Sequence, residues 1–241
     1  MRSYVDEGVT EKVRAAGGEI FAISSEPQAL SSRAQAEWKL DFESVGDPHH
    51  EIRDLCRERG WLDLFFNERL SFLKRSAGDG RDWEPTHPKG YFQPGVLVLS
   101  REGQVLYRWR GVPTHSNIGG AVARPTAAYV WSQIESALGD EARVTDAPLD
   151  EDPKLDFKGL PWAVFVPLLV ANGWFLSPRG FKHSSHIPVA ALRVLGFAAL
   201  WAVAFVWLPT LPTLFALALW AVFITPKVRW LSQEFQNESV P

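Results

Sequence analysis

Few side chains in this 241-residue chain are equipped for chemistry: one cysteine, six histidines and scattered carboxylates. A reactive thiol needs a helix N-terminus or nearby cations to favour thiolate. Cys56 follows no helix start and shares a helical stripe with Ile52, Leu55 and Arg59, which predicts an inert packing thiol. Asp47, His49 and His50 are potential metal ligands, and His183 with His186 has the i, i+3 spacing of two ligands on a helix. Neither set has a third and fourth ligand nearby, so both read as solvated turn or interface residues. Gly119-Gly120 lacks the Lys-Ser/Thr of a phosphate loop and reads as a flexible turn. There is no Gly-x-Ser-x-Gly element, and no basic stripe with interleaved aromatics, which argues against a nucleic-acid partner. No catalytic, cofactor-binding or metal-binding set follows from these residues.

Any chemistry must be positioned by an α/β succession in the first 138 residues. Val5, Val9, Val13 and Ala16 form a helical stripe over residues 4–16, stopped by Gly17-Gly18, and a strand follows over Glu19 to Ser24. Pro27 opens a helix over Ala29 to Leu40, Asp41 to Val45 is extended, and Asp47-Pro48 starts a third helix that Gly60 ends. The apolar residues Leu62, Leu64, Phe65, Phe66, Leu70, Phe72 and Leu73 suggest a short helix, and Ser76 to Gly90 a surface excursion. Residues 94–109 predict a β-hairpin turning at Glu102-Gly103. Pro125 then opens a helix to about Leu138, with Tyr129, Val130, Ile134 and Leu138 on its buried face. Residues 139–158 are acidic, contain two prolines and suit an exposed linker.

Beyond residue 158 the composition changes. Residues 1–158 hold 20 Lys and Arg against 26 Asp and Glu; residues 159–241 hold 5 against 2. From His183 to Pro226 the one formal charge is Arg193, which leaves a channel or transporter little to work with. A bilayer core takes roughly 20 apolar residues as helix. Ile187 to Leu208 meets that length and Leu211 to Thr225 nearly does, with Pro209 and Pro212 placed for a turn between them. Pro161 to Ser177 is a third candidate, weakened by Pro167 and Gly173. Trp162, Trp174, Trp201, Trp207 and Trp220 fall in this part, as aromatic interface anchors do. The expectation is a membrane region over 159–230, integral through its helices, with the bilayer as partner and a polar tail over 231–241. Arg179, Lys182, Lys227 and Arg229 flank the outer ends of the hairpin, which puts that side in the cytoplasm. The N-terminus has no apolar stretch of the kind a signal peptide carries.

Three stretches in the first domain resemble a known group when taken in order. They are Ala15-Ala16-Gly17-Gly18-Glu19-Ile20-Phe21-Ala22-Ile23-Ser24, then Leu40 through the Asp47-Pro48 turn, then Gln93-Pro94-Gly95-Val96-Leu97-Val98-Leu99. Pro113 to Ala121, followed by Arg124-Pro125 and Trp131, adds a fourth. This order resembles the peroxiredoxin-like group of the thioredoxin superfamily, of the alkyl hydroperoxide reductase, thiol-specific antioxidant and redoxin type. The resemblance covers residues 1–138 and implies an incomplete thioredoxin-like α/β fold ahead of the helical membrane region. Its activity would be reduction of peroxides or disulfides by a low-pKa cysteine, with a thiol reductant or another protein as partner. No residue here occupies the position of that cysteine. Pro94 matches a proline that is usually cis in the family, and Pro94, Gly119, Gly120 and Arg124 would mark a remnant of the active-site surface. The resemblance also implies a missing central strand, between those matching Glu19 to Ser24 and Gly95 to Ser100. Its absence would leave a gap or force a direct pairing, in a domain of low stability.

Overall fold

The protein is described by a computed structural model that covers residues 1–67, 88–113, 117, 123–139, 145–155, 161–171 and 187–235. It is a mixed α/β chain in two units, one built from residues up to 155 and one from residue 161 onward.

In the first unit, α1 (Arg2–Asp6) and α2 (Val9–Ala15) replace the single helix expected over residues 4–16. Gly8 divides them because it takes a left-handed conformation (φ 67°) that interrupts the helical ladder. Gly17, also left-handed, ends α2. Strand β1 (Phe21–Ser24) then pairs in parallel with β2 (Glu43–Gly46), in the register Phe21↔Glu43 to Ser24↔Gly46. Helix α3 (Gln28–Glu37) crosses between them, as a parallel connection requires. Two of its glutamines cover the outer edge of β2. Gln35 Oε1 accepts from Ser44 N–H (2.9 Å), and Gln28 accepts from Gly46 N–H and donates to Ser44 C=O, each at 2.8 Å.

Helix α4 (Glu51–Glu58) follows the Asp47-Pro48 turn, and Gly60 (φ 69°) closes it. The short helix expected among Leu62 to Leu73 is corrected over Leu62 to Asn67. Residues 62–65 have no regular secondary structure, and β3 (Phe66–Asn67) pairs antiparallel with β4 (Tyr91–Phe92). Arg110 lies over the Phe65 ring and Arg53 over Phe66, at 4.6 and 4.7 Å from the centroids, so tertiary partners anchor the two rings. Leu70, Phe72 and Leu73 lie outside the described residues. The hairpin is present as β5 (Gly95–Leu99) and β6 (Val105–Arg110), with Gly103 left-handed in the turn and a register irregularity at Val98/Leu99. Helix α5 (Ala127–Gly139) buries Ala127, Val130, Ile134 and Ala137, whereas Leu138 is exposed and Tyr129 half-buried, a correction to the expected face.

Residues 146–155 are not a free linker, because they bind the outer edge of β6. Ala147 N–H donates to Val105 C=O (2.8 Å), and Asp146 accepts from Val105 N–H (2.7 Å). Asp150 N–H donates to Arg108 C=O (3.0 Å), and Thr126 N–H to Lys154 C=O (3.0 Å). The Asp150 carboxylate accepts from the hydroxyls of both Tyr107 and Tyr129, each at 2.9 Å. The charge therefore serves as an acceptor for otherwise costly hydroxyls in and beside the core.

Two core clusters lie among the described residues of this unit. One joins Tyr107, Trp109, Val130 and Ile134; the other joins Ala22, Leu40 and Phe42 under β1. Among the described residues the strands form three separate two-stranded sheets, and no ladder joins β1 to β5.

In the second unit, the nine residues of α6 (Trp162–Val170) cover only ~14 Å at 1.5 Å per residue. Helix α7 (Ile187–Trp207) and helix α8 (Thr210–Phe235) are long and apolar enough to cross a membrane. The break between them falls at Leu208-Pro209. Pro212 lies within the first turn of α8, not in the connection, because an N–H there would have no helical acceptor. Helix α8 also runs through Pro226 to Phe235, past the expected end at Thr225 and into the expected polar tail. A narrow seam joins the pair, with Phe197 against Trp220 (4.8 Å) and Thr213 and Ile224 buried. Most of the remaining circumference is apolar and exposed, as at Val206 (77%), Leu211 (81%) and Val222 (71%).

Candidate functional site

The Asp47-Pro48 turn carries a dense polar arrangement. The buried Asp47 carboxylate accepts from the N–H groups of Glu51 (2.7 Å) and Arg53 (3.1 Å), satisfying donors that the first turn of α4 leaves open. His50, in a left-handed conformation (φ 61°), is buried between Phe66 and Phe92 with Nε2 3.4 Å from Gly90 C=O. Burial lowers its pKa, against the opposing pull of the Gly90 carbonyl and Asp47. Both groups are therefore committed to structure, and the picture of Asp47 and His50 as solvated turn residues is corrected. Among the described residues no three His, Cys, Asp or Glu side chains gather as metal ligands; His183 and His186 lie outside them.

Arg53 falls outside the stripe expected on α4. It is the buried residue of α4, whereas Leu55 is 47% exposed, so the expected stripe is displaced by one side of the helix. Its guanidinium donates to Asp54 and Asp63, both at 2.8 Å, and to Leu64 C=O at 3.2 Å. A buried arginine is legible only through its partners, and apart from its neighbour Asp54 these lie on the non-periodic stretch at Asp63 and Leu64. Cys56, on the same helix, is half-buried. Burial raises its thiol pKa and the Asp47 charge raises it further, so thiolate is disfavoured at neutral pH.

Pro94 sits between β4 and β5 with a trans peptide bond, correcting the cis form that the resemblance implied. Its carbonyl accepts from Gly111 N–H (2.7 Å), and the preceding Gln93 donates its N–H to Phe65 C=O (2.8 Å). The Gln93 side chain is buried, and its Oε1 has no hydrogen-bond partner among the described residues. Arg124 is exposed beside the buried Pro125; Gly119 and Gly120 lie outside the described residues.

Two hydrogen bonds fix how β1 and β5 lie. Phe92 N–H, just before β5, donates to Ser25 Oγ just after β1 (3.2 Å), and Arg101, just after β5, donates to Gly17 C=O ahead of β1 (3.3 Å). The strands therefore run past each other in opposite directions. Each has one paired edge and one inner edge that no ladder among the described residues fills.

The chain matches no protein-family model, no curated protein and no solved structure.

Proposed function

We propose that this chain is a membrane-tethered, thioredoxin-like binding module of the peroxiredoxin-like group that performs no thiol chemistry of its own. The observation that carries the tether is the exposure of α7 and α8. A soluble core helix hides its apolar side, whereas these two present apolar residues around most of their circumference. Such surface is stable against lipid and not against water. The environment of Cys56 supports the absence of turnover, since a half-buried thiol with a raised pKa and no second cysteine has neither the thiolate nor the resolving partner that reduction needs.

The tether is tested by fractionation. The full chain is expected to pellet with membranes and leave them only in detergent, while a chain truncated after Gly159, which keeps the β6-bound segment, is expected to stay in the supernatant. Recovery of the full chain in a detergent-free high-speed supernatant would end the tether reading. The thiol is tested by stopped-flow reaction with hydrogen peroxide. Slow, non-saturating loss of the Cys56 thiol is expected; fast saturable loss, abolished in Cys56→Ser, would overturn the non-catalytic reading.

The second reading is a redox member of the same group, favoured by the order of Gly17-Gly18, Asp47-Pro48 and Gln93-Pro94. An in-frame strand-Cys-x-x-Cys-helix segment encoded ahead of Met1 would establish it over the first.

A further inference from the structure

We infer that the open end of the α7–α8 hairpin binds the headgroup of an anionic phospholipid, held by Arg193 of α7 and Lys227 of α8. Phe197 packs on Trp220 (4.8 Å), which fixes the faces on which the two helices meet. Arg193 lies one turn from Phe197 at i, i+4, and Lys227 lies two turns from Trp220 at i, i+7, so both cations belong to these facing stripes. Counted from the ring contact, Arg193 stands level with the buried Ile224, and Lys227 is about 4.5 Å nearer the open end by the helical rise. Lysines near the end of a membrane helix normally extend toward water. Lys227 does the reverse, with Nζ over the Phe223 ring, 3.7 Å from its centroid and one turn back toward the closed end of the hairpin. Its ammonium is thereby drawn toward the level of Arg193. Arg193 Nη1 donates to Ala171 C=O (3.3 Å), which anchors its fork at the end of α6.

The occupant follows from charge and depth. Two half-buried cations with backbones on the order of 10 Å apart, on apolar helices, repel each other more than they would in water, and an anion between them relieves this. The second unit supplies little of its own. Residues 159–241 carry five cations and two carboxylates, Glu234 and Glu238, and residues 172–186 add Arg179 and Lys182 but no carboxylate, wherever they lie. Glu234 is seven residues beyond Lys227, about 10 Å further along α8. Residues 194–226 have no charged side chain, so the closed end offers an anion nothing. Arg193 lies 15 residues before Leu208, about 22 Å from the closed end, against a hydrocarbon core of about 30 Å. A hairpin that reaches across the core therefore holds Arg193 just inside the leaflet at its open end, within reach of the headgroups. A phosphate is already present at that depth, whereas a carboxylate of a water-soluble unit would lose its hydration to enter it. The guanidinium fork suits phosphate oxygens, and the lysine adds a compact charge beside it.

This inference rests on the tether reading and fails separately from it. The full chain is reconstituted in phosphatidylcholine vesicles with a trace of spin-labelled lipid, either phosphatidylglycerol or phosphatidylcholine, and electron spin resonance reads the share of label that the protein immobilises. Immobilisation of neither label would end the tether reading and this inference together. Equal immobilisation of both would leave the tether standing and overturn the inference. The expected result is about a fivefold preference for phosphatidylglycerol, falling below about twofold in the double variant Arg193→Gln, Lys227→Gln. The exchange Arg193→Lys, Lys227→Arg keeps both charges and is expected to keep the preference; its loss there too would make the effect one of altered packing and overturn the inference. A preference undiminished in the glutamine variant would belong to the diffuse charge of Arg179, Lys182 and Arg229, and the site would be wrong. Displacement of the phosphatidylglycerol label by millimolar inorganic phosphate at constant ionic strength would mark a site for the free anion, and the lipid would be wrong.

Discussion

Alanine at Gly46 is expected to destabilise the first unit by about 2–4 kcal/mol, from overpacking and disturbed hydrogen bonds together. A Cβ there would lie 2.5 Å from both Gln28 N and Glu26 O and 2.8 Å from Gln28 Cα. All three are backbone atoms at the start of α3, so no side-chain rotation relieves the contact. The first turn of α3 must move away, and with it Gln28, which bonds Gly46 N–H and Ser44 C=O. One methyl group would thus open the outer edge of β2 as well as strain the β1–β2 crossover. Gly139→Ala is the control, because a Cβ at Gly139 meets nothing within 4 Å. Thermal melts of the two variants in detergent should separate by roughly 10 °C. Coincident melts would mean that the close approach of β2 to α3 is not maintained in solution.

Much of this architecture is written locally. Gly17, Gly60 and Gly103 each mark a stop or turn because the chain adopts a left-handed conformation there, and the hairpin between β5 and β6 follows from two apolar runs around such a residue. The two long apolar helices are legible for the same reason: length and lack of charge are properties of a continuous segment. Features made by distant partners are not legible. Nothing local distinguishes the acidic stretch of residues 146–155 from a solvated linker, since its role depends on Val105, Tyr107, Arg108 and Tyr129 standing opposite. Leu62 to Phe66 reads as helical by composition and forms no helix, with Arg53 and Arg110 stacked on its phenylalanines. Asp47 and His50 look like exposed turn residues, and their burial is visible only once Phe66 and Phe92 close over the ring. Within the candidate site, the inner edges of β1 and β5 are anticipated only through the resemblance and the central strand it implies, whereas the burial of Gln93 has no local signal.

Arg53 should prove the most sensitive single side chain of the first unit. Replacing it by methionine, which keeps an unbranched apolar stem, is expected to cost about 3–5 kcal/mol, the range for removing one member of a buried ion pair. Only 9% of the Arg53 side chain is exposed, against 34% for Asp54 and 26% for Asp63. The loss is therefore shared: Asp54 and Asp63 forfeit their nearest cation and keep, among the described residues, only Arg57 at 3.7 Å and Arg110 at 4.0 Å, and the Leu64 carbonyl forfeits its donor. Leu64 in turn packs where a Cβ on Gly95 would stand, so the disturbance reaches the first residue of β5. Lysine at this position keeps the charge but loses the planar fork that serves Asp54, Asp63 and Leu64 together, so Arg53→Lys should recover less than half of the loss. A double-mutant cycle with Asp63→Asn isolates the pair, and a coupling of at least ~1 kcal/mol is expected for residues in direct contact. Additive losses in chemical denaturation would show that Arg53 acts through its stem and its place over the Phe66 ring, 4.7 Å from the centroid, and not through the ion pair.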